Sequence, residues 1–327
     1  MMTRAPDRLP ELSVIIPAFN AETTLPAQLD ALSRQDVSFA WEILLCDNGS
    51  TDSTREIASR WSDRLPGLVV VDASSRRGPA AARNAGARQA RSPALAFCDA
   101  DDVIADDWVS NMFTALQDAE LVAGVATKVQ LGSVADRPEH YRFGPYRISH
   151  FPWLLAAAAN NLGVRRETFE LVGGFDETLR TGEDDDLCWR IQLAGYPLVT
   201  RPELAIQAGS REGLHAVFKQ AFGYGRGDRQ LTYKYAKLIA ALRADDGSLA
   251  RNLPAIGVDL IDSRTETAGD GRSALRRRAA RLARVRRASD FAALVHRLGI
   301  AIGFRVGRLD RATPQLDLDV IRGGRMP

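Results

Sequence analysis

Three aspartates, Asp99, Asp101 and Asp102, stand together in FCDADD, directly behind the apolar run PALAF. An ionised carboxylate at the rim of an apolar core is costly unless a cation compensates it. Asp99 and Asp101 are two positions apart, so in extended backbone both project to one side, and converging hard oxygens suit Mg2+ or Mn2+. The plainer reading is that Asp101 or Asp102 starts the helix containing WVSNMFTAL, because Asp is favoured at helix N-termini. A second acidic run, Glu183 to Asp186, poses the same choice. Crowding raises the pKa of at least one acid toward that of a general base. Acids also favour the first turn of a helix, and Asp186 with Arg190 makes a stabilising i,i+4 pair.

The elements that must position these residues alternate along the first part of the chain. LSVIIPA (12–18), WEILLCD (41–47), LVVVDA (68–73) and PALAFCDA (93–100) are nearly continuous apolar runs, the pattern of strands buried on both faces. Segments of helical length between them call for parallel crossovers, so the expected fold class is α/β, a mostly parallel, Rossmann-like sheet flanked by helices. Ser53 with Glu56 reads as a capping box, and Pro79 after Gly78 as a first helical turn. Strand ends then meet helix starts at 17–22, 47–53 and 99–107, the carboxyl edge where open α/β sheets hold ligands. DNGSTDST ends a buried strand on Asp47, whose carboxylate can accept from a base N–H, and Asp52 opens the next helix; an ordinary polar turn has the same composition. RRGPAAARNAG puts Ala and Gly where a helix can lie close to its neighbours, with Arg83 available to a phosphate or an aspartate.

With 45% hydrophobic and 26% charged residues among 327, the composition is that of a globular chain with one sizeable domain and a smaller appendage. Cys46, Cys98 and Cys188 are far apart and form no CxxC pair, which argues against a disulfide framework or zinc knuckle and for a reducing, cytoplasmic setting. The N-terminal segment lacks an apolar stretch of signal length, and no run reaches the roughly 18 apolar residues of a spanning helix, so neither secretion nor a membrane span is expected. Residues 1–210 carry 20 Lys and Arg against 29 Asp and Glu, whereas 211–327 carry 23 against 12. Two regions with different electrostatic roles follow, taken here as 1–240 and a helical appendage, 241–327. In the appendage eight arginines fall between 272 and 287, and Phe291, Leu294, Val295, Leu298, Ile302, Val306 and Leu309 follow at helical steps. Basic and amphipathic together suit an anionic membrane surface met peripherally; packing on its own domain or on a second copy, as a homo-oligomer, is the alternative. Nucleic acid is not expected, because the tract lacks interleaved aromatics.

SVIIPAFNAETTL, EILLCDNGSTDST, GPAAARNAGA, FCDADD, GGFDE and GEDDDLCWRIQLAGY, in that order and spacing, resemble the family 2 glycosyltransferases with the GT-A fold, over about residues 12–202. The resemblance implies a metal-dependent, inverting enzyme that moves a sugar from a nucleoside diphosphate (UDP, dTDP or GDP) to a hydroxyl of a glycan or lipid-linked acceptor. It implies that Pro17, Ala18, Phe19 and Asn20 line the base pocket, Asp47 accepts from the base, Arg83 braces the diphosphate side and Asp99 faces the ribose. Asp101 becomes the chief metal ligand and Asp102 a second. Asp184 matches the base that takes the acceptor's proton, Asp185 and Asp186 keep the helix-capping role, and Glu183, Trp153, Asn160 and Asn161 fall on the acceptor side. A metal-bound diphosphate leaves without a proton, so a single base suffices, unlike the paired acids of a glycosidase. Trp189 is assigned to its helix core. His215 stands where some relatives contact metal or diphosphate, with a surface histidine as the alternative. FKQAFGYGRG (218–227) would close over the donor. The rival readings are a non-catalytic nucleotide-sugar scaffold or sensor, which has no use for Asp184, and a sugar-phosphate nucleotidylyltransferase, whose Gly-rich, Arg-containing loop PAFNAET does not supply.

Overall fold

The computed structural model describes residues 9–129, 140–209, 213–244, 288–310 and 313–316. Strand β1 (Leu12–Ala18) lies between β2 (Trp41–Asp47) and β4 (Ala94–Cys98), and β2 carries β3 (Leu68–Asp72) on its far side. All these contacts are parallel, with Ser13 opposite both Glu42 and Leu95. Helices α1 (Leu25–Ser33), α2 (Thr54–Trp61) and α3 (Pro79–Gln89) make the crossovers. Side-chain alternation then divides the core. Leu12, Val14 and Ile16 pack with Leu25 and Leu29 of α1 and with Trp108 and Met112 of α4 (Trp108–Asp118), while Ile15 and Leu44 meet the alanines of α3 and Leu187.

Beyond β4 the sheet becomes mixed, antiparallel pairs joining one further parallel pair. β5 (Val103–Ile104), β6 (Leu121–Val129), β7 (His140–Phe143), β8 (Tyr146–Ile148) and β9 (Phe151–Ala156) precede β10 (Asn161–Arg165), which inserts antiparallel between β4 and β6. Among the described residues no helix lies between β6 and β10, so the chain returns to its neighbour without the crossover that parallel pairing needs. α5 (Arg166–Leu171), α6 (Glu183–Leu193) and β11 (Leu198–Ala208) follow. The described sheet runs β3-β2-β1-β4-β10-β6-β11-β5, with β7 on β6 and β8–β9 as a separate pair. Parallel pairing is thus concentrated in the half that begins the chain. The capping box is also replaced: the Ser53 N–H donates to Glu22 (3.1 Å) and the Thr54 N–H to Asp52 (3.1 Å), so a carboxylate from the preceding loop does what the spacing assigned to Glu56.

α7 (Leu214–Lys234) and α8 (Ala236–Ala244) come next, and the division expected at 240/241 falls inside α8. The arginine tract at 272–287 lies outside the described residues; α9 (Ala288–Val306) follows it and packs along α7. Glycine inside a helix costs about 1 kcal/mol relative to alanine, yet α7 contains Gly223, Gly225 and Gly227. Two close approaches account for this. A Cβ on Gly225 would lie 2.0 Å from the Ile300 carbonyl oxygen, and one on Gly227 would lie 2.6 Å from that of Thr181. α7 is therefore wedged between α9 and the loop leading into α6. A buried ion network fastens the same junction: Asp186 accepts from Arg190 (2.8 Å), Lys234 (2.7 Å) and the Tyr235 hydroxyl (2.9 Å), and Lys234 also pairs with Asp176 (2.7 Å).

Gly225→Ala separates helix propensity from packing. Propensity alone would stabilise the protein by about 1 kcal/mol. Because the added methyl meets backbone at Ile300, the substitution is expected instead to destabilise by about 1–3 kcal/mol and to speed amide exchange in α9, checked by thermal unfolding and hydrogen exchange. A raised melting temperature would show that the two helices do not touch there.

Candidate active site

A cavity of about 650 Å3 opens at the carboxyl ends of β1 and β4. Pro17, Ala18, Phe19 and Asn20 line it, together with Arg83, Asp99 and Asp101, and the start of α3 contributes Gly78 and Pro79. Phe19 is 52% exposed, and the Arg77 guanidinium lies 5.2 Å from its ring centroid, so a flat apolar face carries a cation beside it. Asn20 holds a φ of 50°, a conformation Asn tolerates better than most residues, with its side-chain oxygen accepting the Thr51 N–H at 2.8 Å. Asp47 differs from its expected place. It is fully buried, is not among the residues lining the cavity, and accepts from Arg55 (2.6 Å) and the Ser50 N–H (3.2 Å). Burial alone would raise its pKa, but the bonds from Ser50 and Arg55 outweigh burial and hold it below the usual range.

The carboxylates of Asp99, Asp101 and Asp102 bring oxygens within 4.8 Å of one another. None of them caps the following helix: α4 starts at Trp108 with Asp107 in the cap position. Asp102 is buried and accepts from the Gly209 N–H (2.9 Å) and the Asn160 amide (2.9 Å). Burial first, then Asp99, push its pKa up to about 8. An all-oxygen cluster with one buried, one half-buried and one exposed carboxylate fits a hard divalent cation, the ion that would relieve its crowding.

α6 places all four acids of the second cluster in its first turn. Asp185 accepts from the Tyr146 hydroxyl (2.7 Å) and Asp186 faces the network with Lys234 and Arg190, so both are structural. Asp184 is half-buried and accepts from the Asp185 N–H (3.0 Å) and the Ala159 N–H (3.3 Å). Burial raises its pKa against the pull of Arg83 and these amides. Glu183 is pushed up to about 7 by burial and by Asp184. Arg83, itself buried, spans both clusters: it donates to Asp99 (2.7 Å) and to Glu183 (3.0 Å). Burial disfavours its charge, but Asp99 and Glu183 outweigh that and raise its pKa. A second link runs through two successive residues, the Ala159 N–H donating to Asp184 and the Asn160 side-chain amide to Asp102. The two acidic groups are therefore neighbours.

The remaining expected residues stand as follows. Arg83 lines the cavity, yet two of its nitrogens already hold carboxylates. Glu183 is committed to Arg83 and supports the site from behind. Asn161 is a core residue: β11 breaks register against β6 between Thr200 and Ala205, and the Asn161 amide bonds the carbonyls of Leu204 (2.8 Å) and Val125 (3.1 Å) while accepting from Trp108 (2.8 Å). Trp153 packs edge-on against Phe151, 5.6 Å between centroids, beside the buried Trp189. His215 is exposed at the start of α7, and no residue of 218–227 lines the cavity. Sequence reasoning overlooked Arg77 and Asn48 on the cavity wall, although each adjoins a residue it named; Tyr146 carried no signal, lying in an irregular stretch without periodicity.

The chain matches the sequence profile of "Glycosyl transferase family 2" over residues 13–172. Glycosyltransferase AglE of Haloferax volcanii is 30% identical over 228 residues, which cover 68% of this chain and 74% of that protein. Validoxylamine A glucosyltransferase of Streptomyces hygroscopicus subsp. jinggangensis is 29% identical over 243 residues, 63% of this chain, and this chain spans only 57% of its length. A mannosyltransferase of Pyrobaculum calidifontis, solved in complex with GDP-Man and Mn2+, superposes with a TM-score of 0.59 at 20% identity over 92% of this chain and 88% of its own, which shows a shared fold.

Asp228 of α7 adds its charge to the field at Asp185, and burial pushes its own pKa up to about 6. Above that value the native chain holds a poorly hydrated charge that unfolding returns to water; below the ordinary aspartate range both states are protonated and the penalty is gone. Asp228→Asn is therefore expected to stabilise by about 1–2 kcal/mol near pH 8 and to be neutral near pH 3, compared by chemical denaturation at the two pH values.

Proposed function

Because this chain belongs to glycosyl transferase family 2 and is a glycosyltransferase, we propose that its cavity takes a nucleoside-diphosphate sugar and that Asp184 is the base for an inverting transfer to a hydroxyl. The observation that carries this reading is the bridge between the clusters, Arg83 on one side and residues 159–160 on the other. It puts a cation-fitting group on the cavity wall through Asp99 and Asp101, and links it to a raised aspartate, Asp184, that does not itself line that wall. Residues 1–240 would form the catalytic unit, with 241–327 accessory to it.

In this reading the base of a UDP-, dTDP- or GDP-linked donor lies against Phe19 and Arg77, and its ribose against Asp99. Asp101 and Asp102 would hold a divalent cation, Mg2+ or Mn2+, which supplies charge neutralisation for a departing diphosphate. Asp184 is oriented by two N–H donors, and its raised pKa makes it a better proton acceptor than an ordinary aspartate. The acceptor oxygen attacks the anomeric carbon from the face opposite the diphosphate. The new C–O bond forms as the old one breaks, and the proton passes to the Asp184 carboxylate. Arg83 opposes the rise that burial imposes on that aspartate. The acceptor would be a glycan or a lipid-linked sugar, met at the cytoplasmic face of a membrane.

Asp184→Asn is expected to reduce transfer by about a hundred- to ten-thousand-fold, the usual span for a lost general base, while donor binding persists. Binding is read as the rise in melting temperature with each nucleotide sugar in the presence of Mn2+. Asp101→Ala is expected to lose the Mn2+-dependent part of that rise along with transfer. Undiminished turnover in Asp184→Asn would remove the base assignment.

A further inference from the structure

We infer that α9 carries a docking face for an anionic lipid surface, formed by Leu298, Ile302 and Val306 with Arg297, Arg305 and Arg308. Gly299, Gly303 and Gly307 recur every four residues, and this glycine row faces α7: a Cβ at Gly299 would lie 2.9 Å from the Phe218 carbonyl oxygen, and one at Gly303 would lie 2.1 Å from that of Phe222. A helix that packs on its own domain ordinarily buries its apolar stripe. Here backbone-to-backbone contact seats the helix instead, and the apolar row is left outside. Leu298 is 49% exposed, Ile302 41% and Val306 61%. An exposed apolar row at four-residue spacing is the kind of patch that marks an interaction surface.

Charge selects the occupant. Arg297, Arg305 and Arg308 are all exposed, and residues 291–309 contain no Asp or Glu. The eight arginines at 272–287 immediately precede the helix in sequence. An apolar row flanked by cations suits a helix lying in the plane of an anionic bilayer surface. Among the described residues no helix is long and apolar enough to cross a membrane, so the contact would be in-plane. A two-fold contact between copies of this chain would set the arginine-bearing face against itself. Docking and sugar transfer are separate readouts, so this inference and the catalytic reading can fail independently.

The test uses the full chain, co-sedimented with vesicles of phosphatidylcholine alone or mixed with phosphatidylglycerol. Binding is expected only with phosphatidylglycerol, weakening as salt is added. Combining Leu298→Ser, Ile302→Ser and Val306→Ser is expected to weaken it about tenfold or more, with helix content retained and only a small drop in melting temperature because the replaced side chains are about half exposed. Leu298→Ser alone, expected to weaken binding about threefold, keeps the test decisive should the triple variant lose helix content. Wild-type protein that ignores phosphatidylglycerol vesicles would overturn the inference. So would a triple variant that binds as wild type, since residues 272–287 would then suffice. Sedimentation equilibrium showing a dimer that the triple variant dissolves would also overturn it, by making a second copy the occupant.

Discussion

A single buried guanidinium holds the site together. Arg83 lies between Asp99 at the end of β4 and Glu183 at the start of α6, and taking such charges out of water costs several kcal/mol per ion unless geometry and hydrogen bonding repay it. The fold is arranged to supply that geometry. Gly86 lets α3 settle on the sheet, where a Cβ would come within 2.6 Å of Cys46 and Ile15, and this close approach carries Arg83 to the strand ends. One residue further along α3, Asn84 bonds both the N–H and the carbonyl of Phe175 (2.9 Å each), fixing the GGFDE loop ahead of α6. Local packing of a small-residue helix thus determines how far apart two acidic groups stand.

The second support comes from behind the site. Asp186 points away from the cavity into Arg190, Lys234 and Tyr235, so α6 is anchored to α7 by charge as well as by apolar contact. α7 touches the Thr181 loop through Gly227 and α9 through Gly225. Contacts between backbones leave no side chains to readjust, and a shift of α9 would be passed to α7 with little slack. The acidic first turn of α6 therefore sits at one end of a rigid stack whose other end is the exposed arginine-bearing helix. Residues that look remote from the chemistry have a mechanical connection to it.

The parts legible in the sequence were those governed by local rules. Val14, Ile15 and Ile16 announce a strand buried on both faces, and the acids of FCDADD fall where such a strand must end. Pro17 to Asn20 reach the cavity for the same reason. What could not be read depends on partners distant in the chain. Asp47 is taken by Arg55 from the next helix, and Asn161 is claimed by carbonyls that only a register break in β11 exposes. Ser53 receives its cap from Glu22, across a loop, where spacing suggested Glu56. In α9 the apolar stripe was legible and Leu298, Ile302 and Val306 stand exposed, but the sequence pattern did not tell that the glycines beside them make the contact with α7. Periodicity tells which residues share a face and leaves open which face a neighbour will choose.

The charge balance of the proposed donor site follows from the same geometry. Asp99, Asp101 and Asp102 crowd one wall, and Arg83, the cation nearest Asp99, is already shared with Glu183. A diphosphate approaching that wall meets carboxylates at a few ångströms, where each like-charge pair costs roughly 1–4 kcal/mol between the aqueous limit and an effective dielectric near 20. Arg77 beside Phe19 offsets only part of this, because it stands over the aromatic end of the cavity. On the proposed reading, donor and cation must therefore favour each other's binding, and linkage makes the effect reciprocal. Asp102 sharpens the coupling: burial and Asp99 push its pKa up to about 8, so a cation held there would compete with a proton for the same carboxylate.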